Sequence, residues 1–406
     1  MYSLLKDFSE RHKKSVIECA QELIRIPSPT YHEGKAAQWI EQRMNELHYD
    51  KVFQDHVGNV VGIIFGRESN TTVLLNSHID TVHADSDLWN GSPFSGRIEN
   101  QRIYGVGASD CKGGLAAQMY AGDLLKRSLL PLQGNLVVAA TVREENGRSV
   151  GIRTLVEETL PEQGLQPTYA ILGEPTDCGI YYGHDGWVKI EVCAEGVNPF
   201  QVDDAAEAIF NDFHAATQRR SGASSSEGMV VSHPRFADEQ GYRRATIEVE
   251  RRVRPTEAVD EILDQMRREV SLLANSMTGV AVKVDVCQQA GAAVPHTMPS
   301  IVNAWSIDPF SRLIDKSRQA LIAAGMEARP GKWKLEHRGM GTAGGALVKQ
   351  FNIPTIGYGP GSEYLAHTPD EYVEIKKIHE TLLGTAVIVQ NLIGVPVFGW
   401  SSDDEI

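Results

Sequence analysis

Five points along the chain carry residue types suited to metal-assisted hydrolysis, each just after a strand-like run. Asn76-Ser77-His78-Ile79-Asp80-Thr81 places an imidazole and a carboxylate two residues apart. In a strand that spacing puts both on one face, where Asp80 could fix the tautomer of His78. Gly105-Val106-Gly107-Ala108-Ser109-Asp110-Cys111-Lys112-Gly113-Gly114 presents Asp110 from a glycine-rich loop before a helix. One carboxylate has two oxygens and can bridge two cations. Ala140-Thr141-Val142-Arg143-Glu144-Glu145-Asn146-Gly147 ends in adjacent carboxylates, which repel and raise each other's pKa. One of the pair ligating a metal while its neighbour acts as base would explain them. Glu174 follows in Leu172-Gly173-Glu174-Pro175-Thr176-Asp177, and His367 in Ala366-His367-Thr368-Pro369-Asp370-Glu371 after Gly357-Tyr358-Gly359-Pro360-Gly361.

Taken singly, each point has a plainer account. An H-x-D is more often structural, and a Glu-Glu pair is usually a solvated loop. Asp110 fits a helix N-cap, Glu174 a turn before proline, and His367 an exposed side chain. Five such elements in this order, each at a strand end, are hard to assemble by chance.

A scaffold must bring those strand ends together. Val16, Cys19, Ala20, Leu23 and Ile24 recur at helical spacing until Pro27-Ser28-Pro29, and Glu33 to Leu47 forms a second amphipathic helix. Val60–Phe65, Thr72–Asn76, Asn135–Thr141 and Tyr169–Leu172 read as strands, with helices over Gly113–Lys126 and Gly147–Glu158. Alternating strands and helices predict an α/β sheet covered on both faces. From about Gly183 the pattern becomes strand Trp187–Ala194, helix Ala205–Gln218, strand Arg244–Val249, helix Thr256–Ala274 and strand Val280–Val286. That block suits an α+β insert with an open antiparallel sheet, and Ser221–Ser226 is a Gly/Ser-rich loop within it. α/β character returns with helix Asp308–Ala324, strand Thr355–Tyr358 and helix Ile375–Ile393. The expected fold is a two-part α/β catalytic domain, 1–182 and 295–406, with a mostly parallel sheet flanked by helices. A smaller α+β dimerisation or lid domain, 183–294, interrupts it.

The 406 residues are 42% hydrophobic and 23% charged, the balance of a globular protein able to bury a sizeable core. A net charge of −14 disfavours nucleic acid and anionic membranes, which call for basic stripes. Five scattered cysteines with no C-x-x-C pairing fit a reducing, cytoplasmic setting. The N-terminus carries no apolar segment of signal-peptide length, and no apolar run approaches ~20 residues.

The ordered motifs resemble the aminoacylase, glutamate carboxypeptidase and succinyl-diaminopimelate desuccinylase family of dinuclear zinc hydrolases (peptidase clan MH), over nearly the whole chain. Within it the chain is most similar to the hydrolases assigned to selenium metabolism, through Glu174-Pro175-Thr176-Asp177-Cys178 and Gly357–Gly361. The resemblance implies that His78 and Glu174 bind one divalent ion and Glu145 and His367 the other, with Asp110 bridging. Zinc is favoured, with manganese or cobalt accepted. It also implies that Glu144 is the general base, that Asp80 orients His78, that the Asp110–Cys111 peptide is cis, and that the protein is a homodimer.

The insert departs from that family. Relatives carry Gly-x-Ser-x-His-Ser-x-x-Pro leading to Asn-Ala-Ile, whose histidine helps hold the oxyanion in the partner's site. Here Gly196-Val197-Asn198-Pro199-Phe200 leads to Glu207-Ala208-Ile209, with Phe200 in the histidine's place. Phenylalanine donates no hydrogen bond. His184, His233 and Arg252 are the candidate substitutes, and Arg252 could bind a substrate carboxylate or simply be a solvated arginine at a sheet edge. The later Gly-Gly-Thr/Ser-Asp-Ala-Arg motif is altered to Gly341-Thr342-Ala343-Gly344-Gly345-Ala346. Cys111 reads as a small buried filler beside the bridging position. The leading expectation is hydrolysis of an N-acyl amino acid or short peptide. The alternatives are hydrolysis of a non-peptide C–N bond, such as an aromatic amine or amidine, and a non-catalytic binding protein on the same fold.

Overall fold

The computed structural model describes residues 1–68, 71–145, 147, 149–220, 228–274, 278–290, 297–334 and 341–395. Two compact units form. The larger runs from Met1 to Gly183 and resumes at Ser306, and the smaller runs from His184 to Trp305. The Val294 boundary and the Ser221–Ser226 loop expected from sequence lie outside the described residues.

The larger unit is built on an eight-stranded sheet among the described residues. In spatial order its strands are Lys51–Gln54, Val60–Ile64, Asn135–Thr141, Thr72–His78, Tyr169–Leu172, Thr355–Gly357, Ile180–Tyr181 and Pro330–Gly331. Asn135–Thr141, Thr72–His78, Tyr169–Leu172 and Thr355–Gly357 are mutually parallel neighbours. Their carboxyl ends therefore share one edge, and the residues after them converge there. That edge is where open α/β sheets bind ligands.

Both faces of these central strands are covered, and every residue of Thr72–His78 and Asn135–Thr141 is buried, the polar Asn76, Ser77 and His78 included. Successive side chains alternate faces. Val73, Leu75, Leu136 and Val138 join the core formed with helices Tyr2–Arg25, Gly34–Glu46, Gly113–Arg127, Arg312–Ala323 and Ile375–Ile393. A three-stranded antiparallel sheet of Arg97–Glu99, Arg102–Tyr104 and Tyr372–Glu374 ties the segment before Asp110 to the segment after His367. The helix expected over Gly147–Glu158 begins at Val150 and continues through a π-helical turn at Leu155–Thr159.

In the smaller unit, Gly186–Gly196, Tyr242–Val253 and Val280–Val286 form the centre of an antiparallel sheet. Burial alternates along Gly186–Gly196, so one face packs and the other does not. Helices Pro199–Arg220 and Val259–Ala274 cover the packed face through Val202, Ala206, Ile209, Phe213, Ile262, Met266 and Val270. The first of these helices starts well before the expected Ala205. Pro199 fits the first helical turn, and the side-chain oxygen of Asn198 accepts the Phe200 N–H at 3.1 Å, as an N-cap does. No helix among the described residues is long and apolar enough to cross a membrane.

Candidate metal centre

His78 ends its strand, Glu144 and Glu145 follow Asn135–Thr141, Glu174 follows Tyr169–Leu172, and His367 lies beyond Thr355–Gly357. Parallel pairing brings all of them, with Asp110, to the same sheet edge. His78 Nε2 lies 3.2 Å from Asp110 Oδ1 and 4.0 Å from Glu174 Oε2. His367 Nε2 lies 2.9 Å from Glu145 Oε2 and 3.5 Å from Asp110 Oδ2. The two Asp110 oxygens thus face two different groups. His78, Asp110, Cys111 and Glu174 form one set able to hold a metal ion, and Asp110, Glu145 and His367 form another.

Cys111 is a poor member of the first set. Burial pushes its thiol up to about 12, and its Sγ lies 3.5 Å from the backbone oxygen of His78, to which it can donate. Its sulfur also accepts the backbone N–H of His78 at 3.2 Å. The remaining donors, imidazole nitrogen and carboxylate oxygen, are those that zinc-class ions take.

The electrostatics agree with a cation site. Burial raises Glu174 well above the usual carboxylate range, and the charge of Asp110 adds to the rise. Burial also opposes ionisation of Asp110, yet its hydrogen bond to His78 and the charges of both histidines hold it down at about 2. Burial should lower His367, but its bond to Glu145 and the surrounding carboxylates lift it to about 9. A cluster of three carboxylates and two imidazoles that draws positive charge so strongly suits divalent ions.

The Asp110–Cys111 peptide is cis, as the resemblance implies. Close backbone approach explains two glycines of the motifs. A Cβ on Gly114 would fall 1.9 Å from the carbonyl oxygen of Gly173, beside Glu174. One on Gly361 would fall 2.1 Å from the carbonyl oxygen of Ser109. Ser109 Oγ in turn donates to Ser362 O at 2.9 Å and accepts the Ser362 N–H at 2.7 Å.

The loop carrying Glu144 and Glu145 is fixed residue by residue. The N–H of Val142 goes to Asn59 Oδ1 at 3.0 Å and that of Arg143 to Glu33 Oε1 at 3.2 Å. Those of Glu144 and Glu145 go to the two oxygens of Asp80, each at 3.0 Å. Thr30 Oγ1 also donates to Asp80, at 2.8 Å. The Asp80 carboxylate is therefore engaged chiefly with this loop. His78 Nδ1 sits closer to the Asp80 backbone carbonyl, at 2.9 Å, than to its carboxylate, at 3.7 Å. Glu144 is buried, and Ser149 Oγ donates to its Oε1 at 2.9 Å. Its Oε2 is buried with no hydrogen-bond partner among the described residues. Burial raises Glu144 to about 7, against the lowering pull of His78 and Ser149.

Phe200 and Arg252 belong to the smaller unit. Phe200 is 81% exposed on the first turn of its helix. Arg252 lies 3.7 Å from Asp185 Oδ2 and over the Trp187 ring at 5.4 Å. His184 is buried, bonded to Asp185 O at 2.8 Å, and packs edge-on to Trp305. His233 stacks on Phe210. Glu33, Asn59, Ser149 and Glu371 are supporting residues that the motifs did not single out, although Glu371 closes the His367 motif.

The chain is similar to N-formyl-4-amino-5-aminomethyl-2-methylpyrimidine deformylase of Bacillus subtilis, at 26% identity over 94% of this chain and 95% of that one. It is also similar to the uncharacterized protein YgeY of Escherichia coli K12, at 25% identity over 91% and 92%. Among solved structures it shares its fold with YXEP of Bacillus subtilis, described as a dinuclear metal binding peptidase from the M20 family. The TM-score there is 0.68 at 16% identity, over 96% of this chain and 99% of that chain. Residues 74–391, well over half of the chain, match the model of peptidase family M20/M25/M40, and the protein belongs to that family.

Proposed function

We propose that this protein hydrolyses an amide-type C–N bond of a small substrate, an N-acyl amino acid or short peptide, with water activated at two divalent ions. His78 and Glu174 would hold one ion, Glu145 and His367 the other, and Asp110 both. The observation that carries this proposal is the division of the Asp110 carboxylate, Oδ1 at 3.2 Å from His78 and Oδ2 at 3.5 Å from His367. Bound there, the ions would lower the pKa of a water and polarise the scissile carbonyl. Zinc suits the mixed imidazole and carboxylate set, with manganese or cobalt as substitutes.

Glu144 takes the proton of the attacking water and returns it to the leaving nitrogen. Its Oε2 has no partner among the described residues and its Oε1 is held by Ser149. A value near 7 lets it accept and release a proton at neutral pH. Asp80 holds the backbone of Glu144 and Glu145, so base and ligand keep a fixed separation. Five free cysteines support a cytoplasmic setting, and the family resemblance supports a homodimer.

The test is a pair of variants assayed on a panel of N-acyl amino acids and short peptides for released amine. Glu144→Ala is expected to lose ~10²–10⁴-fold in turnover while keeping its metal, and Glu145→Ala to lose metal first. If both variants keep metal and activity, the assignment of roles fails.

A second substrate class is favoured by Phe200, an exposed ring where relatives carry the lid histidine. An apolar ring and a lost donor suit a non-peptide C–N bond or an acyl amine with an aromatic group. Phe200→His, assayed beside wild type on N-acetyl amino acids and on aromatic amides, tests it. Equal rates and equal preference in the two proteins would dismiss this class.

A further inference from the structure

The Glu371 carboxylate is buried, and the backbone bonds it accepts all come from the loop before the cis peptide. Its Oε1 accepts the N–H of Ser109 at 2.6 Å and of Asp110 at 3.0 Å, and its Oε2 the N–H of Gly107 at 3.1 Å. Its own carbonyl accepts the N–H of Gly105 at 2.9 Å. These bonds fix the peptide planes on the N-terminal side of Asp110.

Lys112 fixes the other side. It is 1% exposed, an unusual burial for an ammonium. Its backbone N–H donates to Gly107 O at 2.8 Å. Its Nζ donates to Leu23 O at 3.0 Å and Ile26 O at 2.7 Å, at the end of the first helix. Burial works against its charge, and the nearby carboxyl groups of Glu371 and Asp80 favour it. The loop bearing Asp110 is therefore clamped between the buried side chains of Glu371 and Lys112, neither of which belongs to the candidate ligand sets.

A bridging carboxylate needs such a clamp more than a terminal ligand does. A small rotation of Asp110 would keep one oxygen on its ion and withdraw the other. Residues that orient metal ligands are worth about 10–100-fold in affinity or activity. We propose that Glu371 and Lys112 are positioning residues that aim the two oxygens of Asp110 at two separate ions. The proposal rests on Asp110 being the shared ligand, as put forward above.

The experiment compares Glu371→Gln, Lys112→Met and Asp110→Asn by zinc titration of the full chain, with melting curves to establish that each is folded. Gln presents an amide N–H₂ where the carboxylate accepted an N–H, and Met removes the ammonium at similar length. The expected result is that folded Glu371→Gln and Lys112→Met each bind the second zinc about 10–100-fold more weakly than wild type. In both, turnover per folded molecule at saturating zinc, with the folded fraction taken from the melting curves, should fall with KM unchanged. Wild-type zinc affinity in either folded variant, with Asp110→Asn impaired, overturns the clamp and leaves Asp110 as the shared ligand. Wild-type zinc affinity in Asp110→Asn overturns the shared ligand itself. If Glu371→Gln does not fold, Lys112→Met decides, and unchanged affinity there overturns the proposal.

Discussion

Asp80 accepts the backbone N–H of Glu145 at 3.0 Å through one carboxylate oxygen, while the other takes that of Glu144 at the same distance. The residue two beyond His78 thus sets the position of Glu144, the proposed base, and of Glu145, a proposed ligand. Asp80→Asn keeps the shape but replaces one acceptor with a donor. Turnover is expected to fall about 10–100-fold with a matching loss of zinc affinity. Calorimetric zinc titration beside steady-state assays checks it, and unchanged values in both would remove Asp80 from the mechanism.

Gly361 lies against the carbonyl of Ser109, next to Asp110. Gly361→Ala would put a Cβ 2.1 Å from that oxygen, so one of the two loops must move. A destabilisation of about 1–3 kcal/mol is expected, together with weaker zinc binding. Gly147, whose added Cβ meets nothing within 4 Å among the described residues, has positive φ of 72° and serves as the control for backbone strain alone. Chemical denaturation of both Ala variants separates the two effects.

Much of the site was legible because each motif sits at the end of an apolar, β-branched run. Asn135–Thr141 and Tyr169–Leu172 form as the periodicity predicts. What local spacing could not supply was the partners. The H-x-D pattern suggested that the Asp80 side chain serves His78, whereas that side chain chiefly serves a loop distant in sequence. Glu33 and Asn59 carry no motif, and only the folded chain shows that they take the N–H groups of Arg143 and Val142. The three-residue strands beside Asp110 are too short and too polar to show an alternating pattern. The helix expected from Ala205 begins at Pro199, where Asn198-Pro199 already signalled a helix start.

His12 bonds Asp123 at 2.8 Å, joining the first helix to helix Gly113–Arg127, with the Asp123 side chain 1% exposed. That bond to Asp123 raises the His12 pKa above its ordinary 6.5. A histidine raised in the folded state adds stability that is fully present below the unfolded value and lost as pH rises through the folded one. His12→Gln is therefore expected to cost more stability at pH 6 than at pH 9, by about 1–2 kcal/mol. Denaturant melts of both proteins at the two pH values test this, and a pH-independent difference would contradict it.

Metal content tests the central claim most directly and needs no knowledge of the substrate. Elemental analysis of protein purified without chelator is expected to give about two zinc-class ions per chain, and Asp110→Ala is expected to lose ions from both halves of the site. A preparation that takes up no more than one divalent ion per chain even when zinc is supplied in excess, or an Asp110→Ala variant that still holds two ions, would contradict the account.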